Sequence, residues 1–289
     1  RYMEVMREND RGYQQWTALF SGKTGARARQ DRVASLGRHP TISIVLPVHN
    51  TPLPLLRSCV DSVLAQTYTH WQLCIADDMS DEPVLQLLRQ YAHKDQRIRV
   101  HERTRHGHIS HASNDALAMA DGEFVGFLDH DDELAPDALF EVAKALNEHP
   151  DAGVVYSDED KIDESGRRFD PHFKPAWNPE LLRSLNYICH FAAIRTDLVR
   201  ELGGLRPGFE GAQDHDLVLR CIERLSRPQI VHIPKVLYHW RAIAGSTALG
   251  AAQKPYALEA GRRAVEEHLA RSGRPARVEV TDGGHYRPV

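Results

Sequence analysis

From Thr41 onward, short apolar runs alternate with amphipathic segments, and two of the runs end in paired carboxylates. Residues 42–48, 71–76, 98–101 and 124–128 have the length and apolar content of buried strands. Between them, residues 55–66, 83–93 and 110–119 carry helical periodicity. In the first of these, Leu55, Leu56, Cys59, Val63 and Leu64 share one face. This β-α-β-α alternation predicts an α/β fold with a mostly parallel sheet, whose ligands bind beyond the carboxyl ends of the strands. The carboxylates stand at those ends: Asp77-Asp78 after the second run, Asp129-His130-Asp131-Asp132-Glu133 after the fourth. Carboxylates gathered this tightly repel one another, so a fold that holds them together usually supplies a cation. Hard oxygen ligands suit Mg²⁺ or Mn²⁺, and Mg²⁺ commonly arrives with a substrate's phosphates. The pattern points to a metal-diphosphate site.

Composition narrows the setting. With 42% hydrophobic and 26% charged residues, the 289-residue chain is ordinary globular protein with ample length for a core. A net charge of −4 gives no bulk reason to expect nucleic acid or an anionic membrane. Only seven of the 36 basic residues are lysine; arginine forks suit phosphate, but a compositional bias of the genome accounts for the excess equally well. Cys59, Cys74, Cys189 and Cys221 are scattered with no CxxC pair, which argues against a zinc site or disulfide framework and for a reducing, cytoplasmic setting. No run approaches the length of a membrane span and no signal peptide is evident. The chain opens at Arg1, as a piece of a longer protein would, so peripheral association with the inner face of a membrane through regions outside it stays open.

Residues 1–38 read as an amino-terminal helical extension and linker. Within it Gly22-Lys23-Thr24 lacks the upstream glycine and preceding strand of a phosphate loop. Residues 39–275 read as one domain, with a nucleotide half (39–133), an acceptor half (134–245) and a carboxyl-terminal helix (254–272). In the second half, helices are expected at 136–148 and 214–225, and strands at 153–156, 190–194, 230–233 and 236–240. The stretch punctuated by Pro171, Pro175 and Pro179 reads as loops, and residues 276–289 as a tail that leads toward a further domain.

Five motifs, in order, carry a resemblance to a family. Ser43-Ile44-Val45-Leu46-Pro47-Val48-His49-Asn50 resembles the opening strand of the family 2 inverting glycosyltransferases, which have the GT-A fold. Asp77-Asp78-Met79-Ser80 is similar to their second-strand motif, and Asp129-His130-Asp131 to their DxD motif. Gly203-Gly204-Leu205 with Gln213-Asp214 resembles their acceptor-side region, and Leu237-Tyr238-His239-Trp240-Arg241 a carboxyl-terminal histidine motif. The resemblance covers roughly residues 40–275 and is nearest to bacterial O-antigen, capsule and rhamnosyl transferases.

The resemblance implies transfer of a sugar from a UDP- or dTDP-sugar to a glycan, lipid-linked or protein acceptor. Asp131, with Asp129, would hold Mg²⁺ or Mn²⁺ and neutralise the departing diphosphate. Asp129 could instead contact the ribose, and Asp132 would be structural. Asp77 and Asp78 would accept hydrogen bonds from base and ribose, with Pro47, His49 and Asn50 lining the same pocket. Gly107 and Asn114 match the family's loop near the base and ribose, whereas His108 and His111 depart from its small residues. Inverting transfer needs a general base, and Asp214 stands at that position with Asp216 as the neighbouring alternative. His239 would be a further metal ligand or pair with the diphosphate, and Arg241 would clamp it. Asp158-Glu159-Asp160 either shapes the sugar or acceptor pocket or is a solvated turn. Trp177 and Trp240 are either sugar platforms or core.

Two rivals remain in view. A nucleotidyltransferase would need a glycine-rich basic loop after the first strand, where this chain has His49-Asn50-Thr51-Pro52. A non-catalytic sugar-nucleotide-binding module would not need the full set of Asp131, Asp214 and His239. A phosphoaspartyl hydrolase would want its DxD after the first strand.

Overall fold

The computed structural model describes residues 10–20, 31–242 and 255–289; Gly22-Lys23-Thr24 lies outside the described residues. Helix α1 (Asp10–Phe20) precedes the alternating region: β1 (Ile42–Val48), α2 (Leu53–Leu64), β2 (Trp71–Asp77), α3 (Glu82–Lys94), β3 (Ile98–Glu102), α4 (His108–Ala118) and β4 (Phe124–Phe127). These elements follow the apolar periodicity closely. All seven residues of β1 are buried, because both faces of the strand are covered. Ile42, Ile44, Leu46 and Val48 join Leu56, Val60 and Val63 of α2 in one cluster. Val45 joins Ala112 and Ala116 of α4 in the other.

The chain continues through β5 (Glu133–Leu134), α5 (Ala138–Glu148), β6 (Val154–Ile162), β7 (Arg168–His172), α6 (Pro179–Ser184), β8 (Ala192–Arg195) and α7 (Thr196–Glu201). It ends with α8 (Gln213–Ile222), β9 (Ile230–Arg241), α9 (Pro255–Arg271), β10 (Val278–Val280) and β11 (Tyr286–Pro288). The large sheet runs β3-β2-β1-β4-β8-β6-β9-β5, with β7 on β6. The expected parallel pairing holds across β3-β2-β1-β4 and between β6 and β9. Antiparallel pairing of β8 with β4 and β6, of β7 with β6, and of β5 with β9 makes the whole sheet mixed. From β1 the chain goes first to β2 on one side and later to β4 on the other. The carboxyl ends of β1, β2 and β4 therefore open on a topological switch point, where a ligand crevice forms.

Three expectations are corrected. The acidic run Asp158-Glu159-Asp160 is no solvated turn: it lies inside β6, and all three side chains are buried. The two short strands expected at 230–233 and 236–240 are one strand, β9, whose pairing with β6 skips Pro234 and Lys235 at an irregularity. Residues 276–289 are not a loose tail, since β10 and β11 form a hairpin that buries Val278 and Tyr286 against α8 and α9.

Candidate active site

The ends of β1 and β2 are tied together by polar contacts. Asp78 N–H donates to the Val48 carbonyl (2.7 Å), and a His49 Nδ1–H reaches the Asp78 carbonyl (2.8 Å). Asn50 and Met79, one at each strand end, adopt φ of 46° and 64°, a region that non-glycine residues seldom enter and that recurs at functional loops. Asn50 N–H donates to Ser80 Oγ, and its Oδ1 accepts from Asp81 N–H, both at 2.8 Å.

Asp77 and Asp78 are both buried but differently satisfied. Asp77 Oδ2 accepts from Ser80 N–H (2.9 Å), while its Oδ1 is buried with no hydrogen-bond partner among the described residues. A buried acceptor without a donor costs stability unless a ligand supplies one. Asp78 is heavily engaged: it pairs with Arg103, accepts from Gly107 N–H (3.0 Å) and lies 2.8 Å from His106 Nδ1. A side chain at Gly107 would place its Cβ 2.7 Å from the Arg103 guanidinium, so Arg103 would have to shift to admit one.

At the end of β4 the acidic residues divide. Asp132 is buried; the Tyr238 hydroxyl donates to its Oδ2 (2.5 Å) and Arg241 N–H to its Oδ1 (2.7 Å). Burial, reinforced by Asp131 and Asp129, pushes its pKa well above the carboxylate range. Asp129 keeps 41% of its side-chain surface accessible, and its nearest ion partner is His190 Nε2 at 3.8 Å. Loss of hydration on the cleft floor raises its pKa; His190 opposes that rise and Asp131 adds to it. Asp131 is 24% accessible, and its one ion partner among the described residues is His130, at 3.8 Å. Asp129 and Asp131 thus offer carboxylate oxygens that accept no hydrogen bond among the described residues, the hard donor set that Mg²⁺ or Mn²⁺ takes.

Asp214 comes from the first turn of α8, 85 positions beyond Asp129 in the chain, yet the two line one cleft with Pro47, Cys189, His190 and Gln213. Asn186 Nδ2 donates to Asp214 Oδ2 (2.6 Å), and Oδ1 accepts no hydrogen bond among the described residues. Asp216 is not available. It is fully buried, gripped by Arg206 and by Arg220 Nε (2.9 Å) and Nη2 (2.8 Å), so the alternative base is a structural anchor of α8.

His190 is the residue that sequence reasoning missed. Its ring stacks on Tyr238 at 4.5 Å, stands edge-on to Trp240 and reaches toward Asp129, while its Nδ1 lies 3.3 Å from Cys189 Sγ and 3.5 Å from Glu159. Burial opposes its protonation, but the Cys189 sulfur and Glu159 hold its pKa well above the usual histidine value. No local motif marks it; its partners lie 31 and 48 positions away on Glu159 and Tyr238. Glu159 stays ionised, its pKa well below normal because Lys174 and the two nearby histidines outweigh its burial.

Other expected site residues lie elsewhere. His239 Nδ1 is 2.5 Å from Asp160 Oδ1, outside the residues lining the cleft. The Arg241 guanidinium is buried; it donates to the Asp131 carbonyl (2.7 Å) and pairs with Glu133, so it braces the acidic loop instead of reaching out as a clamp. The Asn114 amide is committed at both ends to the main chain of Leu205, at 2.7 and 2.9 Å, joining α4 to the Gly203-Gly204 loop. Trp177 packs partly buried against the apolar cluster.

Known proteins resemble the chain in sequence and in fold. The family described as glycosyl transferase family 2 matches residues 43–203, more than half of the chain. The chain belongs to glycosyl transferase family 2. The chain is 44% identical to the O-antigen biosynthesis protein RfbC of Myxococcus xanthus over 261 residues, covering 90% of the chain and 20% of RfbC. It spans about a quarter, or less, of the two curated relatives that it matches over more than four-fifths of its own length. In fold it is similar to S. aureus TarS in complex with UDP (TM-score 0.59, 19% identity, covering 80% of this chain and 71% of that one). It is likewise similar to the mannosyltransferase PcManGT of Pyrobaculum calidifontis in complex with GDP-Man and Mn²⁺ (TM-score 0.58, 19% identity, covering 87% and 71%). Among the described residues no helix is long and apolar enough to cross a membrane.

Proposed function

We propose that this glycosyltransferase inverts the anomeric centre of a UDP- or dTDP-sugar as it transfers the sugar to a hydroxyl of a glycan, lipid-linked or protein acceptor. The product would be a bacterial surface polysaccharide or glycoprotein, in keeping with the O-antigen role in the name of RfbC. The observation that carries the reading is the convergence of Asp129 and Asp214 on one cleft at the switch point. Leaving-group chemistry and acceptor chemistry need carboxylates of different function in one place, and here they come from opposite halves of the chain.

Each residue has work that follows from its surroundings. The unpartnered Asp77 Oδ1 suits the imide N–H of uracil or thymine. Pro47, His49 and Asn50 would border the base and ribose, beside the Asp78 carboxylate that Gly107 N–H and Arg103 hold in place. Asp129 and Asp131 would hold the divalent cation, as supported by the Mn²⁺ in the PcManGT complex. When bound, that cation supplies Lewis-acid neutralisation of the charge on the departing diphosphate. Asp214 takes the proton of the acceptor hydroxyl through its free oxygen, while Asn186 keeps the carboxylate turned into the cleft.

Asp214→Asn tests the reading. The amide keeps the shape of the side chain but cannot take a proton, so donor binding should persist while turnover falls about 10²–10⁴-fold. Turnover equal to wild type would place the base elsewhere.

A further inference from the structure

Glu159, Cys189 and His190 bring three metal-ligating atoms together, each within 4.8 Å of the others. The reaction outlined above uses none of the three. They meet where β6 runs beside the segment leading into β8. Tyr156 pairs with Ala192 across these antiparallel strands, and Glu159 and Cys189 each stand three residues on from that pair. His190 Nδ1 is the centre of the group, 3.3 Å from Cys189 Sγ and 3.5 Å from Glu159 Oε2. Zinc binds thiolate sulfur, imidazole nitrogen and carboxylate oxygen at bond lengths that make the edges of its tetrahedron about 3.3–3.6 Å. Both separations match those edges.

Each ligand is also held from outside. Glu159 Oε2 accepts from Lys174 Nζ (3.2 Å) and from His190 N–H (3.1 Å), and Oε1 lies 3.3 Å from His172 Nδ1. Lys174 is itself fixed by the carbonyls of Ile188 (2.7 Å) and His190. The His190 ring lies flat on Tyr238, and its Nε2 turns to Asp129 Oδ2 at 3.8 Å. A ligating imidazole commonly has its second nitrogen directed at a carboxylate in this way. Glu159 is buried, whereas Cys189 and His190 line the cleft. A metal can therefore enter from the cleft and keep its fourth coordination position there. Cysteine spacing cannot signal such a site, because it uses a single thiol.

We propose that Cys189 Sγ, His190 Nδ1 and Glu159 Oε2 form a cation site in the cleft wall for a thiophilic dication of the Zn²⁺ class. Thiolate and imidazole select such ions, whereas the all-oxygen set of Asp129 and Asp131 suits Mg²⁺ or Mn²⁺. On binding, the metal takes the places of the protons on Sγ and Nδ1, which pass to solvent.

Co²⁺, which accepts the same ligands as Zn²⁺, makes the site visible by absorption. Titrated into the protein under saturating Mg²⁺, it should give a thiolate-to-metal charge-transfer band and the strong visible bands of a tetrahedral ion, and Zn²⁺ should abolish both. Cys189→Ser should lose the charge-transfer band. His190→Gln should keep it but weaken Co²⁺ binding at least about 100-fold, the upper end of what losing a mere outer partner costs. No charge-transfer band in the wild type would overturn the site. A band unchanged in Cys189→Ser would also overturn it, by placing the metal on Cys59, Cys74 or Cys221. Unchanged affinity in His190→Gln would reduce the group to one thiol and overturn the three-ligand assignment. Should Cys189→Ser not fold, Cys189→Ala enters the same titration with the same two outcomes.

Discussion

Asp131 and Asp132 are consecutive carboxylates with opposite surroundings. Asp132 is held between the Tyr238 hydroxyl and Arg241 N–H, whereas Asp131 is partly open and, among the described residues, pairs only with His130. Asp131→Ala should therefore leave the unfolding midpoint close to wild type yet remove the thermal shift produced by UDP-sugar with Mn²⁺, because ligands that bind only the folded state raise its stability. A metal-dependent shift that survives in that variant would mean that the cation sits elsewhere. Asp132→Ala should do the reverse, losing about 1–3 kcal/mol of stability as two buried donors go unpaired. The motif sets Asp132 apart as structural, and it is buried, but the sequence does not show what holds it there, since Tyr238 is 106 positions away. The same reason hides the commitments of Asn114 to Leu205 and of Arg241 to Glu133. Motif position could suggest a ligand contact for each. Only the folded chain shows that their polar atoms are already engaged.

Elements built from local apolar periodicity were readable; those built around distant polar partners were not. β1, β2, β3 and β4 bury aliphatic faces that alternate or run continuously, and their bounds follow the pattern. β6 breaks the rule, since three successive acidic residues inside a strand argue for a solvated loop. They are tolerated because Lys174, His232, His239, Arg168 and Tyr13 arrive from elsewhere to neutralise or hydrogen-bond them. The hairpin β10–β11 is a different failure, because its signal was present: Thr281-Asp282-Gly283-Gly284 is a turn sequence between two short strands. The hairpin docks through Tyr286, whose hydroxyl lies 1.9 Å from where a Cβ at Gly261 of α9 would be. Gly261→Ala should thus separate α9 from the hairpin and cost about 1–3 kcal/mol, the range for overpacking a filled site. Calorimetry checks this, and an unchanged or raised midpoint would show that Tyr286 can move aside.

The sheet joins a parallel half that follows simple βα alternation to a half whose strands reverse direction, and α8 and α9 cover the second half with the last hairpin. Asp214 begins α8, so the stability of this covering layer bears directly on the cleft. Within the layer His215 is buried, its Nε2–H donating to the Leu182 carbonyl (2.7 Å) and its ring stacked on Tyr286 at 5.8 Å. Burial lowers its pKa, only partly offset by the Leu182 carbonyl and the neighbouring Asp214 and Asp216. A histidine whose folded pKa is depressed is neutral in the native state, while the unfolded chain takes up a proton below about pH 6.5. Its contribution to stability is therefore complete above about pH 6.5 and drains away as pH falls toward the folded value, by at most about 1.4 kcal/mol per pH unit for one proton. His215→Gln removes this titration and leaves the other ionisable groups in place. In urea denaturation at pH 7.5 and 5.5, wild type should lose more stability on acidification than His215→Gln does. A difference between the two proteins that is constant with pH would mean that His215 titrates normally, and with it that the layer bearing Asp214 admits water to its core.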